Sequence, residues 1–194
     1  VGVSPNITWL RDTPLEMEQG ILINDQLQTN LPDVYAIGDC AQLRSPKENR
    51  RAIEAVWYTG RMMGETVAHN VYGNSFEYDP GIWFNSAKFF NIEYQTYGTV
   101  NTQESSEEKH FYWEAEDGKH CVRIAFQVTD MTVLGINTFG IRMRHEIWDQ
   151  WLREKVSLSY AIENLRLANF DPEFFRAFEP QIQQTYNVML PEKQ

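Results

Sequence analysis

The stretch Thr29-Asn-Leu-Pro-Asp-Val-Tyr-Ala-Ile-Gly38-Asp39 decides the fold class of this chain. Its four consecutive apolar residues, 34–37, predict a strand that is buried on both faces. Gly38 at the end of that strand leaves room for the backbone to approach a ligand. Asp39 then lies at the carboxyl edge of the sheet, where open α/β sheets bind ligands and a carboxylate accepts hydrogen bonds from sugar-like hydroxyl groups.

The flanking segments predict the neighbouring elements of the same fold. The apolar run at residues 20–24 is short and bounded by polar residues, which is typical of a second strand. Residues 50–71 predict an amphipathic helix, because apolar residues recur at intervals of three and four. The order of strand, loop and helix indicates an α/β nucleotide fold. The apolar positions of the helix are Ile53, Val56, Tyr58, Met62, Met63, Val67 and Val71.

Residues 29–39 resemble the second FAD-binding motif of the pyridine nucleotide-disulfide oxidoreductase superfamily. In that motif the Asp of the Gly-Asp pair holds the ribityl chain of FAD, so the resemblance implies that Gly38 and Asp39 bind the cofactor. The turn Gly2-Val-Ser-Pro-Asn6 resembles the exit from the NAD(P)H domain of these enzymes, and residues 20–25 resemble the strand that re-enters their FAD domain. The alternative is a strand that ends in a Gly-Asp turn by chance.

Residues 50–64 resemble the helix that passes under the isoalloxazine ring in the same superfamily. A helix N-terminus carries unpaired amide groups and partial positive charge, which suits the electron-rich edge of a reduced flavin. The resemblance implies that Trp57, Tyr58 and Thr59 contact the flavin. Met62 and Met63 are better interpreted as core residues.

The second half of the chain predicts an antiparallel sheet with helices. Residues 73–80, GNSFEYDP, form the predicted linker. Strands are predicted at 89–97, 109–116, 121–129 and 133–139, with Asp117-Gly118 as a hairpin turn. Helices are predicted at 143–155 and 159–167, followed by a tail rich in Phe and Pro. The fold class is therefore α+β, with a C-terminal antiparallel sheet and helices (an interface domain) preceded by the closing segment of an α/β FAD-binding domain.

Residues 80–91 and 94–98 resemble the opening of the C-terminal domain in the branch that contains apoptosis-inducing factor and the ferredoxin or rubredoxin reductases. In that branch an aromatic residue near this position lies beside the flavin, which implies Phe89 or Phe90. Ordinary aromatic core packing is the alternative. The predicted domains are residues 1–75, the C-terminal segment of the FAD-binding domain, and residues 80–194, the interface or dimerisation domain.

Composition excludes several other classes of function. Lys and Arg number 17 against 27 Asp and Glu, and the net charge of −10 disfavours nucleic acid as a partner. No apolar run approaches the roughly 20 residues that a membrane span needs, and the first residues lack the features of a signal peptide, so a cytoplasmic protein without a membrane partner is expected. Cys40 and Cys121 form no CxxC pair, and the four histidines lack metal-ligand spacing, so no metal site is expected.

Motifs that the chain lacks limit its function further. It contains no Gly-x-Gly-x-x-Gly, the turn that holds the pyrophosphate of a dinucleotide. It also lacks the C-terminal His-Pro and Glu of glutathione-reductase-like members, so no catalytic residue is assigned. Val1 lies in an apparent loop, and we expect the chain to be a fragment. FAD and NAD(P)H are the expected cofactors of the full-length protein, and neither is expected to bind fully to this fragment.

Three functions are compatible with these patterns. The leading hypothesis is an FAD-dependent NAD(P)H oxidoreductase that passes electrons to an unidentified acceptor, either a small molecule or a redox protein. A second is a non-catalytic dimerisation or interaction module, with a homodimer formed through the aromatic tail at residues 170–178; the alternative for that tail is that it folds back over its own sheet. The third is a stand-alone ligand-binding domain.

Overall fold

A computed structural model describes residues 2–47, 49–171, 173 and 176–189. The chain forms two compact units, Val1–Gly81 and Ile82–Gln194. The first holds a parallel strand pair with a helix, and the second holds an antiparallel sheet with helices. This is the α+β class that the sequence predicts. Within the described ranges, every helix is too short or too polar to cross a lipid bilayer.

The first unit contains two short strands and one helix. They are β1 (Ile21–Ile23), β2 (Ala41–Leu43) and α1 (Trp57–Val71), with 3₁₀ turns at Thr8–Leu10 and Gly38–Cys40. The two strands are parallel, which is typical of an α/β segment covered by a helix. The buried hydrophobic residues of this unit form one core, made of Leu10, Ile21, Ile23, Leu27, Ala36, Ala41, Leu43, Met63 and Tyr78.

The predicted strand at residues 34–37 is wrong. Ala36 is buried, but Val34 and Ile37 are each 37% exposed. The backbone is extended at Ile37, and a single bridge joins Tyr35 to Gln28. A strand requires a ladder of such bridges, and among the described residues this is the one bridge that involves residues 34–37.

The helix of the first unit begins later than predicted. α1 starts at Trp57, so residues 50–56 precede it instead of forming its first turns. Met63 is 2% exposed and belongs to the core, while Met62 is partly buried against it. Val71, which was assigned to the apolar face, is 69% exposed because the helix ends there.

The second unit is built on a five-stranded antiparallel sheet. Its strands are β3 (Phe84–Phe89), β4 (Ile92–Gly98), β5 (Glu108–Glu114), β6 (Cys121–Gln127) and β7 (Val133–Phe139), and they lie in the order β3-β4-β7-β6-β5. The Asp117-Gly118 hairpin is confirmed, with Glu114 opposite Cys121 and Gly118 at a φ of +63°. β5 and β6 are each two residues shorter at their C-terminal ends than predicted.

The strand predicted at residues 89–97 is two strands. The chain reverses at Phe90 and Asn91, and Phe89 pairs with Ile92. Phe90 has a φ of +53°, in the left-handed region that a bulky residue seldom occupies. The alternation of apolar and polar residues continues through this turn. The sequence therefore gave no sign of the hairpin, and β3 was not predicted.

Alternate residues of β6 are buried against the core of the second unit. Val122, Ile124 and Phe126 are buried, but Val128 is 44% exposed because it lies beyond the strand. On the other face Ala125 is also fully buried.

Helices cover the core face of the sheet. They are α2 (His145–Glu154), α3 (Leu158–Glu163) and α4 (Glu179–Met189), with a 3₁₀ turn at Leu165–Ala168. Trp148 and Trp151 of α2 are buried and meet edge to face, with ring centroids 5.1 Å apart. α4 was not predicted, and its Ile182 and Tyr186 add to the core.

The aromatic tail is described only in part. Phe178 is 4% exposed and lies 5.5 Å from the Trp113 ring, so at this residue the chain folds back over its own sheet. Phe170 is 47% exposed. Phe174 and Phe175, which carry the self-association hypothesis, lie outside the described residues. Self-association through the tail stays a prediction.

Candidate functional site

The Gly38-Asp39 turn follows the extended backbone at Ile37. Gly38 has a φ of +74°, which favours glycine, and open space surrounds the position that a β-carbon would occupy. Its amide donates to the Sδ of Met63 at 3.4 Å, which ties the turn to α1. The turn is therefore held against α1 through Met63, and it is open on the side where a β-carbon of Gly38 would lie.

Asp39 is exposed within this 3₁₀ turn. Its carboxylate makes no hydrogen bond or ion pair with the part of the chain that the structure describes. An ionised carboxylate accepts up to about four hydrogen bonds. All the hydrogen-bond acceptor sites of the Asp39 carboxylate are therefore available to a ligand at the surface of the first unit.

The N-terminus of α1 lies against the same turn. A β-carbon added to Gly60 would lie 3.5 Å from the Cα of Gly38, so the helix and the turn approach backbone to backbone. The N-cap residue, Val56, has extended backbone and provides no side-chain cap. The first amide groups of an α-helix lack intrahelical partners, and an uncapped end offers them to an electron-rich ligand.

The three predicted contacts at this helix end differ in exposure. Trp57 is 69% exposed and meets the ring of Tyr58 edge to face at 5.3 Å. Tyr58 is half-buried. Thr59 is buried, and its hydroxyl donates to the Oε2 of Glu54 at 3.3 Å. The side chain of Thr59 is therefore committed to the interior of the unit.

The other two predicted site residues belong to the second unit, at the tip of the β3–β4 hairpin. Phe89 is 61% exposed and stacks on Tyr94, with ring centroids 6.2 Å apart and an interplanar angle of 6°. Phe90 is 97% exposed. The structure therefore brings Gly38 and Asp39 together with the N-terminus of α1, and it places Phe89 and Phe90 on a separate hairpin.

A buried ionic cluster beside the first turn of α1 was missed by sequence reasoning. The side chains of Arg50 and Glu54 are 4% and 6% exposed and form a two-contact ion pair, with Nε and Oε1 2.7 Å apart. Tyr78 is also buried, and its hydroxyl lies next to the side chain of Thr59. The only available signal was an Arg and a Glu four residues apart, which is far more often a surface pair.

Burial in this cluster raises the pKa of Tyr78 to about 12, because an apolar environment disfavours the charged phenolate. The Arg50 guanidinium acts in the opposite direction, and the Glu54 carboxylate adds to the rise. Tyr78 therefore remains a neutral phenol at physiological pH.

These features fit the riboflavin half of FAD. A free carboxylate suits the hydroxyl groups of a ribityl chain, and an uncapped helix N-terminus suits the electron-rich edge of a flavin ring. Gly38 leaves space for a close approach of a ligand, and Gly60 leaves space for the Gly38-Asp39 turn to pack on α1. The chain has no glycine-rich turn for the pyrophosphate.

Comparison with known proteins finds a family match for the segment that contains the Gly38-Asp39 turn. Residues 1–67 match the family model described as pyridine nucleotide-disulphide oxidoreductase. The NADH-rubredoxin oxidoreductase of Clostridium acetobutylicum is 45% identical over 42 residues, which cover 22% of this chain and 11% of that protein. The pyridine nucleotide-disulfide oxidoreductase domain-containing protein 1 of Pongo abelii is 25% identical over 183 residues, 89% of this chain and 36% of that protein.

A similar fold occurs among solved structures. A NAD-dependent persulfide reductase from A. fulgidus superposes with a TM-score of 0.70 and 17% sequence identity, over 97% of this chain and 37% of that one. The chain therefore spans about a third or less of the length of the proteins that it resembles. Residues 1–67 are therefore similar to the pyridine nucleotide-disulphide oxidoreductase family, which their motifs resemble.

Proposed function

We propose that this chain is the C-terminal part of an FAD-dependent NAD(P)H oxidoreductase. Residues 1–75 would close the FAD-binding domain, and residues 80–194 would form the interface domain. The observation that carries the proposal is the exposed, unpartnered carboxylate of Asp39 in a turn that packs through Gly38 on Gly60 of α1. The family match over residues 1–67 supports it.

Each residue of the candidate site has a role in this proposal. Asp39 accepts hydrogen bonds from the ribityl hydroxyl groups, and Gly38 allows the protein backbone to approach the cofactor closely. The first turn of α1, at Trp57, Tyr58 and Thr59, faces the flavin ring with its amide groups. FAD, when bound, supplies the redox chemistry between NAD(P)H and the acceptor.

A redox protein is the electron acceptor that the comparisons support best. The Clostridium relative carries the name NADH-rubredoxin oxidoreductase, and it is 45% identical over 42 residues. The missing His-Pro and Glu pair disfavours a disulfide substrate. We therefore propose electron delivery to a small redox protein rather than to a disulfide substrate.

The proposal is tested by substitution of Asp39 in the full-length flavoprotein. Asp39→Ala removes the carboxylate without removing any contact within the described part of this chain, so the fold is expected to persist. Loss of hydrogen bonds to a charged group costs about 1.5–3 kcal/mol, which corresponds to roughly a tenfold to hundredfold loss of FAD affinity. The measurement is the ratio of FAD to protein after gel filtration.

Asp12→Ala is the matched control, since Asp12 is also an exposed aspartate of the first unit. This variant is expected to retain FAD as the wild type does. If Asp39→Ala retains as much FAD as the control, Asp39 does not hold the cofactor and the site assignment is wrong.

A further inference from the structure

The ion pair between Arg50 and Glu54 lies directly behind the first turn of α1. Both side chains are more than nine-tenths buried, in contrast with the Arg61–Glu65 pair on the same helix, where each side chain is 62% exposed. Burial removes solvent screening, so the charge of each partner acts over a longer distance than it does at the surface.

The pair connects two parts of the first unit. Glu54 accepts the Thr59 hydroxyl through Oε2 at 3.3 Å and the Arg51 amide through Oε1 at 3.3 Å. Arg50 donates through Nη1 to the carbonyl oxygens of Pro80 and Gly81, both at 3.0 Å. The first turn of α1 is thereby joined through two charged side chains to the last residues of the unit.

The positions of the two charges matter because the first turn of α1 is itself electropositive. Unpaired amides and the helix dipole give this end partial positive charge. The Glu54 carboxylate touches that turn through Thr59 and reduces the potential, and Arg50 offsets the carboxylate. The net potential in front of the turn therefore depends on both members of the pair.

We propose that Arg50 and Glu54 are positioning residues that set the electrostatic potential at the N-terminus of α1, and with it the reduction potential of the flavin. This inference rests on the proposed function, because it takes the flavin to lie at that helix end. A more positive potential there stabilises the electron-rich reduced flavin, and a more negative potential destabilises it.

The sign of the effect distinguishes an electrostatic role from a structural one. Glu54→Gln makes the cluster more positive by one charge and raises the flavin midpoint potential. Arg50→Met makes it more negative by one charge and lowers the potential. Each shift is expected to change the ratio of reduced to oxidised flavin by about tenfold, which is about 30 mV for a two-electron couple.

The measurement is a spectroscopic redox titration of the full-length holoprotein. Glu65→Gln and Arg44→Met are the matched controls, since they remove one charge of each sign from exposed ion pairs, and their midpoint potentials are expected to stay at the wild-type value. Glu54→Asp and Arg50→Lys keep the charges and are expected to preserve most of the wild-type potential, even where stability falls. If Arg50→Met does not fold, the comparison of Glu54→Gln with Glu54→Asp still decides the sign.

The outcomes separate this inference from the proposal on which it rests. Flavin that stays bound with an unchanged potential in Glu54→Gln, or shifts of the same sign in Glu54→Gln and Arg50→Met, overturns the electrostatic role and leaves the flavoprotein assignment intact. A wild-type holoprotein without flavin overturns the proposed function itself. Opposite shifts, restored towards wild type in the double variant, support the inference.

Discussion

Two acidic side chains of the first unit have opposite environments, and only one of them was identified from sequence. Asp39 is exposed and follows Gly38 in a motif that the sequence alone reveals. Glu54 is buried, and its partners Arg50 and Thr59 lie on either side of the start of α1. The sequence does not show that the helix begins at Trp57, so Arg50 and Glu54 fell within the helix predicted at residues 50–71.

The buried phenol of Tyr78 leads to a prediction on pH dependence. Its pKa is raised from the usual 10.0 to about 12 in the folded chain. The folded state therefore keeps its proton to higher pH than the unfolded state, and the stability that this provides is present below pH 10 and lost as pH rises towards 12. The free energy of unfolding of the wild type should fall, relative to Tyr78→Phe, by up to about 3 kcal/mol across this window.

Urea denaturation at a series of alkaline pH values measures this difference. At neutral pH the Tyr78→Phe chain is expected to match the wild type in stability to within about 1.5 kcal/mol, because the substitution removes at most one hydrogen bond, to Thr59. Tyr72→Phe, at a tyrosine that is 89% exposed, controls for loss of a hydroxyl. A constant difference between wild type and Tyr78→Phe from neutral pH to pH 12 contradicts the prediction.

At the scale of elements, the β5–β6 hairpin was predicted from sequence and the β3–β4 hairpin was not, because their turns contain different residues. Asp117-Gly118 joins β5 to β6 with a glycine at positive φ, which is the residue that such a turn favours. Phe90-Asn91 joins β3 to β4 with a bulky residue at positive φ, so propensity gave no sign of a turn. α4 was missed for a related reason, because its sequence follows a segment rich in Phe and Pro that is typical of a loop.

Close backbone packing within the sheet gives a prediction on stability. Gly135 of β7 pairs with Gly98 of β4, and a β-carbon at Gly135 would lie 2.5 Å from the carbonyl oxygen of Thr99 and 2.6 Å from its amide nitrogen. Backbone atoms cannot move aside as a flexible side chain can. Gly135→Ala is therefore expected to destabilise the second unit by about 3 kcal/mol or more.

Gly118→Ala is the comparison, because the nearest atom to its β-carbon would be the Glu114 carboxylate at 3.6 Å. Only the left-handed backbone then opposes the substitution, at a cost of about 1–2 kcal/mol. Chemical denaturation monitored by tryptophan fluorescence reports on this unit through Trp113, Trp148 and Trp151. A loss at Gly135 no larger than the loss at Gly118 would show that the sheet relaxes around the added carbon.

At the scale of the whole molecule, the sequence predicts the fold class and the resemblance of residues 1–67 to the pyridine nucleotide-disulphide oxidoreductase family, while the full activity stays a proposal. Hydrophobic periodicity and the Gly-Asp motif identify an α/β segment, and the Asp117-Gly118 turn identifies an antiparallel sheet. Neither pattern specifies an electron acceptor or an oligomeric state. Dimerisation and the interaction-module hypothesis stay predictions for the second unit.

We propose that this chain supplies the flavin-facing part of a longer flavoprotein. The visible absorption spectrum of the full-length protein tests this proposal. The full-length protein is expected to be yellow, to lose its flavin absorption when NADH or NADPH is added without oxygen, and to release FAD on denaturation. The 194-residue chain with added FAD should elute without the cofactor, because it lacks a glycine-rich pyrophosphate turn. A colourless full-length protein, or one whose flavin stays oxidised with both nicotinamide cofactors, would contradict the account.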